Sequence, residues 1–389
     1  MAKRRGNHEG SIYKRPNGRY QAQITLKGHR LAKTFNTHKE CRDWIREITE
    51  QKEKGLTVSS TKIDIENYLL RWLEDIKPSL KLKTWYQYKG IIYNHILPSL
   101  GKVKLMDLRT DTIQKFYTTK SQQDTSKWTI ERIHTVFRRS LGMAQKQGLI
   151  PYNPVQGVER PKIAQREMQV LDESQVQQLL IAARGTRIEA LIHLAVTTGM
   201  RQGELMGLKW KDLDWVSQEL HVKRQLQRIP HQGQMFSSPK TRAGKRLIKL
   251  GSETIRLLGI HLKSQEQERD FTGSRWEENN LIFPSPFGKP IEQKRVHKDY
   301  KKLLKAAGLP DIRFHDLRHT AATLMLLNGV PILVVSKRLG HAKVSTTLDI
   351  YGHFLPGMQD EAAAIMDELV TPVAADLQQV KETAVKEDS

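Results

Sequence analysis

Arg201, Lys240, His315, Arg318, His341 and Tyr351 carry side chains that together could break a phosphodiester without a metal ion. Two guanidiniums can hold the non-bridging phosphate oxygens through paired, charge-assisted hydrogen bonds. They would also stabilise the extra charge of a pentacoordinate transition state. Removing one comparable oxyanion donor costs about 10²–10³ in rate in other enzymes. A phenol can be the nucleophile when a neighbouring base or a field of cations helps it ionise. A lysine can then protonate the leaving alkoxide. The set contains no paired carboxylates and no His/Asp cluster of the kind that binds magnesium or zinc. It also lacks a glycine-rich phosphate loop of the Walker type.

Each residue has a bland reading when taken alone. In "TGMRQGEL", Gly199 closes one helix, Arg201 opens the next, and Glu204 lies three residues on, beside Arg201. That is also the spacing of an ordinary surface ion pair. In "SSPKTRAGKR", Pro239 and Gly244 bracket a turn with Lys240 near its tip, where a lysine is commonly just solvated. In "RFHDLRHTAATLMLLNG", a helix starting near Asp316 would project His315 and Arg318 from its first turn. Free N–H groups and the helix dipole favour an anion there, so cations at that end make sense if they face a phosphate. In "LGHAKVSTTLDIYGH", Gly340 ends a helix and leaves His341 just beyond it. Ser345 is expected to cap the next helix, which carries Tyr351; a tyrosine at such a spacing is ordinarily core.

These clusters must be positioned by the elements around them. Residues 168–370 read as mixed α and β. Helices are expected in "DESQVQQLLIAAR" and "RIEALIHLAVTTG", strands in "ELHVKRQLQRI" and "GKRLIKLG", and helices again through "TLMLLNG", "PILVVSKRLG" and "VSTTLDIYGHF". Residues 60–160 read as a compact all-α domain of about four helices, among them "IENYLLRWLEDI", "TWYQYKGIIYNHILPSLG" and "TIERIHTVFRRSLGMAQKQGLI". "TDTIQKFYTTK" is expected to open with a Thr or Asp cap. Residues 1–57 read as three short strands followed by a helix, "THKECRDWIREITEQKEKG", with a Thr37–Glu40 capping box and Gly55 as the stop. Residues 371–389 read as a flexible polar tail. The fold class is therefore multi-domain and mainly α with small sheets.

Lys and Arg outnumber Asp and Glu by 64 to 42, for a formal net charge of +22. Such an excess repels itself unless a polyanion shares it, and nucleic acid is the first candidate. An anionic membrane surface is the second, but no stretch approaches the ~20 apolar residues needed to span a bilayer. The basic start has no apolar core after it, unlike a secretory signal. Cys41 is the single cysteine, which excludes an internal disulfide or a Cys-cluster zinc site and fits a reducing, cytoplasmic setting. The N-terminal strands concentrate positive charge, including Arg15 and Arg19 beside the Pro16–Gly18 turn, and strands can enter a DNA groove. Lys83 and Lys127 are candidate phosphate contacts in the helical domain.

The order Arg201, Lys240, His315-x-x-Arg318, His341, Tyr351 and its local strings resemble the signature of the tyrosine recombinases, the phage integrase family. The three-part layout is also similar, with an arm-binding sheet domain, a helical core-binding domain and a catalytic domain. The resemblance implies an integrase that needs no cofactor, neither ATP nor a metal. Tyr351 would attack the scissile phosphate of an attachment site in double-stranded DNA, giving a 3′-phosphotyrosyl link and a free 5′-hydroxyl. Arg201 and Arg318 would clamp the phosphate. His315 and His341 would hydrogen-bond to it, and His315 would also accept the tyrosine proton. Lys240 would be the acid, and Glu204 would orient the cluster. Four protomers would exchange strands through a Holliday junction, with an excisionase and a host DNA-bending protein as possible partners. "DEAAAIMDELV" resembles the tail helix that docks on a neighbouring protomer in that family. A type IB topoisomerase, which reseals the same strand, and a DNA-binding regulator with an idle site are the rival readings.

Overall fold

The computed structural model describes residues 10–26, 29–53, 63–163, 168–239, 241–352 and 358–370. Lys240, Gly55 and the 371–389 tail lie outside the described residues. The chain folds as two compact units, residues 1–165 and 166–389.

The first unit opens with an antiparallel sheet of β1 (Ser11–Lys14), β2 (Tyr20–Leu26) and β3 (His29–Phe35). Pairing of Lys14 with Tyr20 leaves a turn holding Arg15 and Arg19, both exposed. Helix α1 (His38–Glu53) follows. Its start is the expected reciprocal cap: Thr37 Oγ1 accepts the Glu40 N–H at 3.2 Å, and Glu40 Oε2 accepts the Thr37 N–H at 2.9 Å. Ile24 and Ile48 form a small core there with Trp44 and Ile45.

Four helical runs then share a separate core. They are α2 (Ile65–Asp75), α3 (Leu82–Ile91) with its continuation, α5 (Thr110–Gln122) and α6 (Lys127–Lys146). Helix α3 continues through a π-helical turn, Ile92–Ile96, into the short α4 (Leu97–Leu100). Pro98 supplies no N–H to the ladder at that point, which accounts for the widened turn. The expected cap of α5 is absent: Arg109 holds the cap position with no side-chain bond, and Thr110 Oγ1 instead donates to Pro154 O at 2.9 Å. Trp85 anchors this core by donating Nε1–H to Leu73 O at 3.0 Å. Lys83 lies exposed in the first turn of α3, and Lys127, also exposed, is the first residue of α6.

In the second unit, α8 (Glu189–Thr198) is central, packed on α7 (Glu173–Ala183), α9 (Gln202–Leu205), α10 (Ser252–Thr272) and α12 (Asp316–Leu327). The expected long strand "ELHVKRQLQRI" is broken. Strand β5 (Glu219–Val222) pairs with β4 (Leu213–Asp214) and β8 (Arg246–Lys249). Strand β6 (Gln225–Ile229) forms a separate hairpin with β7 (Gly233–Ser237). The break falls at Lys223 and Arg224, whose side chains both turn to the buried Asp212 carboxylate. Helix α11 (Gln293–Ala306) precedes α12. Helices α13 (Ile332–Leu339), α14 (Val344–Tyr351) and α15 (Met358–Val370) complete the unit. Ser345 lies inside α14 and Lys343 holds the cap position without a side-chain bond, so Ser345 is not the cap.

Candidate active site

Gly199 is the point on which the site is hung. It ends α8 with φ +63, a left-handed conformation that glycine adopts freely. A Cβ there would meet Leu339 Cδ2 at 2.5 Å and Ala321 Cβ at 3.4 Å, so α8, α12 and α13 close on a position with no side chain. The Gly199 carbonyl accepts Nη1–H of Arg318 at 2.8 Å, fixing one arm of that guanidinium. Arg318 is only 3% exposed, and its Nη2 is buried with no hydrogen-bond partner. Burial, and then the charge of Arg201, push its pKa down to about 9.

Arg201 precedes the short helix α9 and keeps its side chain partly exposed. Its Nη1 donates to Glu204 Oε1 at 2.9 Å, and its own N–H donates to Glu204 Oε2 at 3.1 Å. Glu204 is 1% exposed. Burial alone would raise its carboxyl. The charge and hydrogen bond of Arg246, followed by those of Arg201, more than offset that and hold it below the ordinary carboxylate range.

Arg246 was not among the residues singled out from the sequence. Its side chain is 6% exposed and donates three ways: to Glu204 Oε2 at 3.0 Å, to Arg338 O at 2.6 Å and to Gly244 O at 3.2 Å. It therefore ties Glu204 to the end of α13, where Gly340 (φ +73) turns the chain into His341. A signal existed. Arg246 lies two residues before the buried Ile248 on β8, and an arginine on a strand's inward face needs a buried partner. Removing one member of a buried ion pair strands the other. Arg246→Ala is expected to destabilise this unit by roughly 3 kcal/mol or more, read by urea unfolding. A loss of under about 1 kcal/mol, the range of an exposed pair, would show that the brace is not structural.

Helix α12 starts at Asp316, as the sequence suggested, with His315 at its cap position. Asp316 offsets the local positive charge: it accepts Arg313 N–H at 2.8 Å and its side chain pairs with the Arg313 guanidinium. His315 keeps an exposed edge and meets His319 edge-on with ring centroids 5.3 Å apart. Desolvation, then the charges of His319, Arg318 and Arg201, push the His315 pKa down to about 4. His341 follows the same trend, to about 4, through burial and then Arg318, Arg201 and Arg246. Its Nδ1 is 2.8 Å from Oγ1 of the buried Thr347, leaving Nε2 for another partner.

Tyr351 is the last residue of α14 and 0% exposed. Its ring packs among Ala322, Leu326, Val335 and Leu339. Burial pushes its phenol up to about 12, against the downward pull of Arg318 and Arg201. Its hydroxyl lies 2.7 Å from Nδ1 of His319, a residue to which the sequence reading gave no role.

The structure thus gathers Glu204, His315, His341 and Tyr351 around the Arg201 and Arg318 guanidiniums, with His319 and Arg246 beside them. Arg15, Arg19, Lys83 and Lys127 lie in the other unit. Arg15 donates Nε–H to Gln21 Oε1 at 2.7 Å. Among the described residues no group of three or more His, Cys, Asp or Glu could hold a metal ion, and no helix is long and apolar enough to cross a membrane.

Residues 169–357 match the phage integrase family, and residues 65–121 match the phage integrase N-terminal SAM-like domain. A tyrosine recombinase XerC-like protein of Caldanaerobacter subterraneus subsp. tengcongensis is 30% identical over 376 residues, covering 90% of this chain and 96% of the relative. The ICEBs1 integrase of Bacillus subtilis is 24% identical, covering 92% of this chain and 100% of the relative. Among solved structures, the Tn1549 transposon integrase in complex with a circular intermediate DNA matches with a TM-score of 0.68 at 19% identity, over 79% of this chain and 100% of that one. A lambda integrase dimer bound to a COC′ core site matches with a TM-score of 0.55 at 18% identity, over 90% of this chain and 96% of that one. At such identities these two likenesses speak to the fold.

Proposed function

The chain belongs to the phage integrase family, the tyrosine recombinases, and on that premise we propose that it integrates and excises a phage or other mobile element by cutting and rejoining DNA through Tyr351. One observation carries the reading. Arg318 presents a buried, unpartnered Nη2 inside a cluster of cations that Glu204 alone does not neutralise, with the Tyr351 phenol at its edge. A buried charged N–H without a partner is costly. A phosphodiester oxygen supplies the missing acceptor and the missing negative charge together.

The chemistry follows from that placement. Arg201 and Arg318 hold the non-bridging oxygens and meet the charge that grows as the phosphorus becomes pentacoordinate. His341, oriented by Thr347, donates to the same group through Nε2. His315 supplies a further donor from the start of α12. Tyr351 Oη bonds to phosphorus, the 5′-oxygen leaves with a proton from Lys240, and a 3′-phosphotyrosyl link remains. A 5′-hydroxyl from the partner duplex reverses the step, so the energy of the broken bond is kept in the ester.

Residues 1–57 serve as an arm-type DNA-binding domain with Arg15 and Arg19 at its hairpin. Residues 60–160 bind the core site with Lys83 and Lys127 on the backbone. Residues 168–370 carry the chemistry, with 371–389 as a tail. The working assembly is a tetramer on two attachment sites in the cytoplasm, with an excisionase and a host DNA-bending protein as candidate partners. Support for four subunits comes from a related structure, a lambda integrase tetramer bound to a Holliday junction.

The discriminating experiment offers the full chain a nicked core-site duplex together with a second attachment site. Strand joining between the two DNAs is expected. Resealing of the original strand alone would assign a topoisomerase instead.

A further inference from the structure

His319 is the residue that the structure adds to the reaction. It follows Arg318 on α12 and sits four residues, about one helical turn, after His315 on the same face. Its Nδ1 is 2.7 Å from the Tyr351 hydroxyl, with ring centroids 5.7 Å apart. Among the described residues no hydrogen bond joins His315 to Tyr351, although His315 is the histidine that the family resemblance assigned to the tyrosine proton.

We propose that His319 is the general base for Tyr351, its Nδ1 accepting the phenol proton as the oxygen attacks phosphorus. The inference rests on Tyr351 being the nucleophile. The Tyr351 Oη–P bond forms and the P–O5′ bond breaks. The phenol proton goes to His319 Nδ1 and the 5′-oxygen takes one from Lys240. On rejoining, the P–Oη bond breaks, His319 returns the proton to the phenolate, and Lys240 recovers the proton of the attacking 5′-hydroxyl.

Two conditions make a base necessary and this one able. A phenol held near 12 is ionised in only about one part in 10⁵ at pH 7. His319 is held below the ordinary histidine range by burial first; Asp316 pulls the other way, and the Arg318 and Arg313 charges add to the downward shift. It is therefore neutral at pH 7, with the Nδ1 lone pair free when Nε2 carries the proton. The other charged and titratable groups facing the pair are His315 on α12, Arg201 beside α9 and His341 after α13. All are donors or cations. The Arg318 and Arg201 guanidiniums favour the phenolate once it forms, and among the described residues the hydroxyl's hydrogen-bond partner is His319.

The test is single-turnover covalent trapping by the full chain between pH 5.5 and 9. The probe is a nicked suicide duplex carrying the core site, identified from the DNA flanking the gene. Wild type should show a rate that is flat at and above neutral pH and falls as pH drops through the lowered His319 pKa. His319→Ala should be slower by about 10²-fold or more at pH 7 and should gain about tenfold per pH unit as solvent ionises the phenol. His319→Gln keeps a hydrogen-bonding side chain but cannot take up the proton, and should be as slow while melting like wild type. Replacing Tyr351 by a fluorotyrosine of lower pKa should restore much of the His319→Ala rate and change wild type little. Substitution of His319 without loss of rate would overturn the inference. So would a loss that neither pH nor the fluorotyrosine recovers, since that marks a positioning role. If wild type forms no Tyr351-dependent adduct, the underlying functional reading fails rather than this step.

Discussion

Tyr351→Phe is expected to bind attachment-site DNA as wild type does and to form no covalent adduct at all. The change deletes one oxygen. The ring stays packed among Ala322, Leu326, Val335 and Leu339, so α14 keeps its seat. The lost hydrogen bond to His319 costs on the order of 1 kcal/mol, which a folded domain tolerates. DNA affinity is spread over many phosphate contacts, each contributing a log–log salt slope of about −0.9, and the phenol makes none of that charge. Denaturing gels of protein and labelled DNA should show the shifted band with wild type and with Tyr152→Phe, an exposed tyrosine in the other unit, but not with Tyr351→Phe. A persistent band would place the nucleophile elsewhere.

Arg318→Lys carries the second largest expected effect, although it preserves the charge. The guanidinium does two jobs at once: Nη1 is held by Gly199 O at 2.8 Å, and Nη2 is left free and buried. An ammonium on a flexible stem has no second arm fixed by the first. It can satisfy the Gly199 carbonyl or reach a phosphate, and in either case loses the fork. Cleavage should fall by about 10²–10³-fold, roughly 3–4 kcal/mol of transition-state stabilisation. DNA affinity should change only a few-fold, because one phosphate contact among many is altered. The free protein should be no more stable than wild type, since a buried ammonium is more strongly hydrated and still has more donors than the Gly199 carbonyl can satisfy. Parallel loss of binding and cleavage would instead make Arg318 a general affinity residue.

Much of this arrangement is legible in the sequence because its parts are marked by local rules. Gly199 and Gly340 end helices in left-handed conformations, which sets Arg201 and His341 just past those ends. Asp316 starts α12 where the cluster of polar residues gives way to apolar ones. The Thr37–Glu40 box forms because its two bonds are local. What the sequence does not display is decided by long-range partners. The strand after Val222 breaks because Arg224 is drawn to Asp212, 12 residues away. Ser345 is bypassed as a cap although its type suits the position. Arg246 becomes a brace only when Glu204, 42 residues before it, and Arg338, 92 residues after it, close around its guanidinium. His319 is the sharpest case. It stands inside the quoted "HDLRHT", and the spacing from His315 already puts both rings on one face. Only the return of α14 shows that the second ring, rather than the first, meets Tyr351.

The most direct measurement is the chemical identity of the protein–DNA joint. A suicide core-site duplex is incubated with the full chain, the covalent product is digested with protease and nuclease, and the modified peptide is sequenced by mass spectrometry. The expected product is the peptide containing Tyr351 with a nucleotide esterified to its phenol through a 3′-phosphate, and a free 5′-hydroxyl on the other DNA end. A nucleotide on any other residue, a 5′-phosphate ester, or cut DNA with no attached peptide would contradict it.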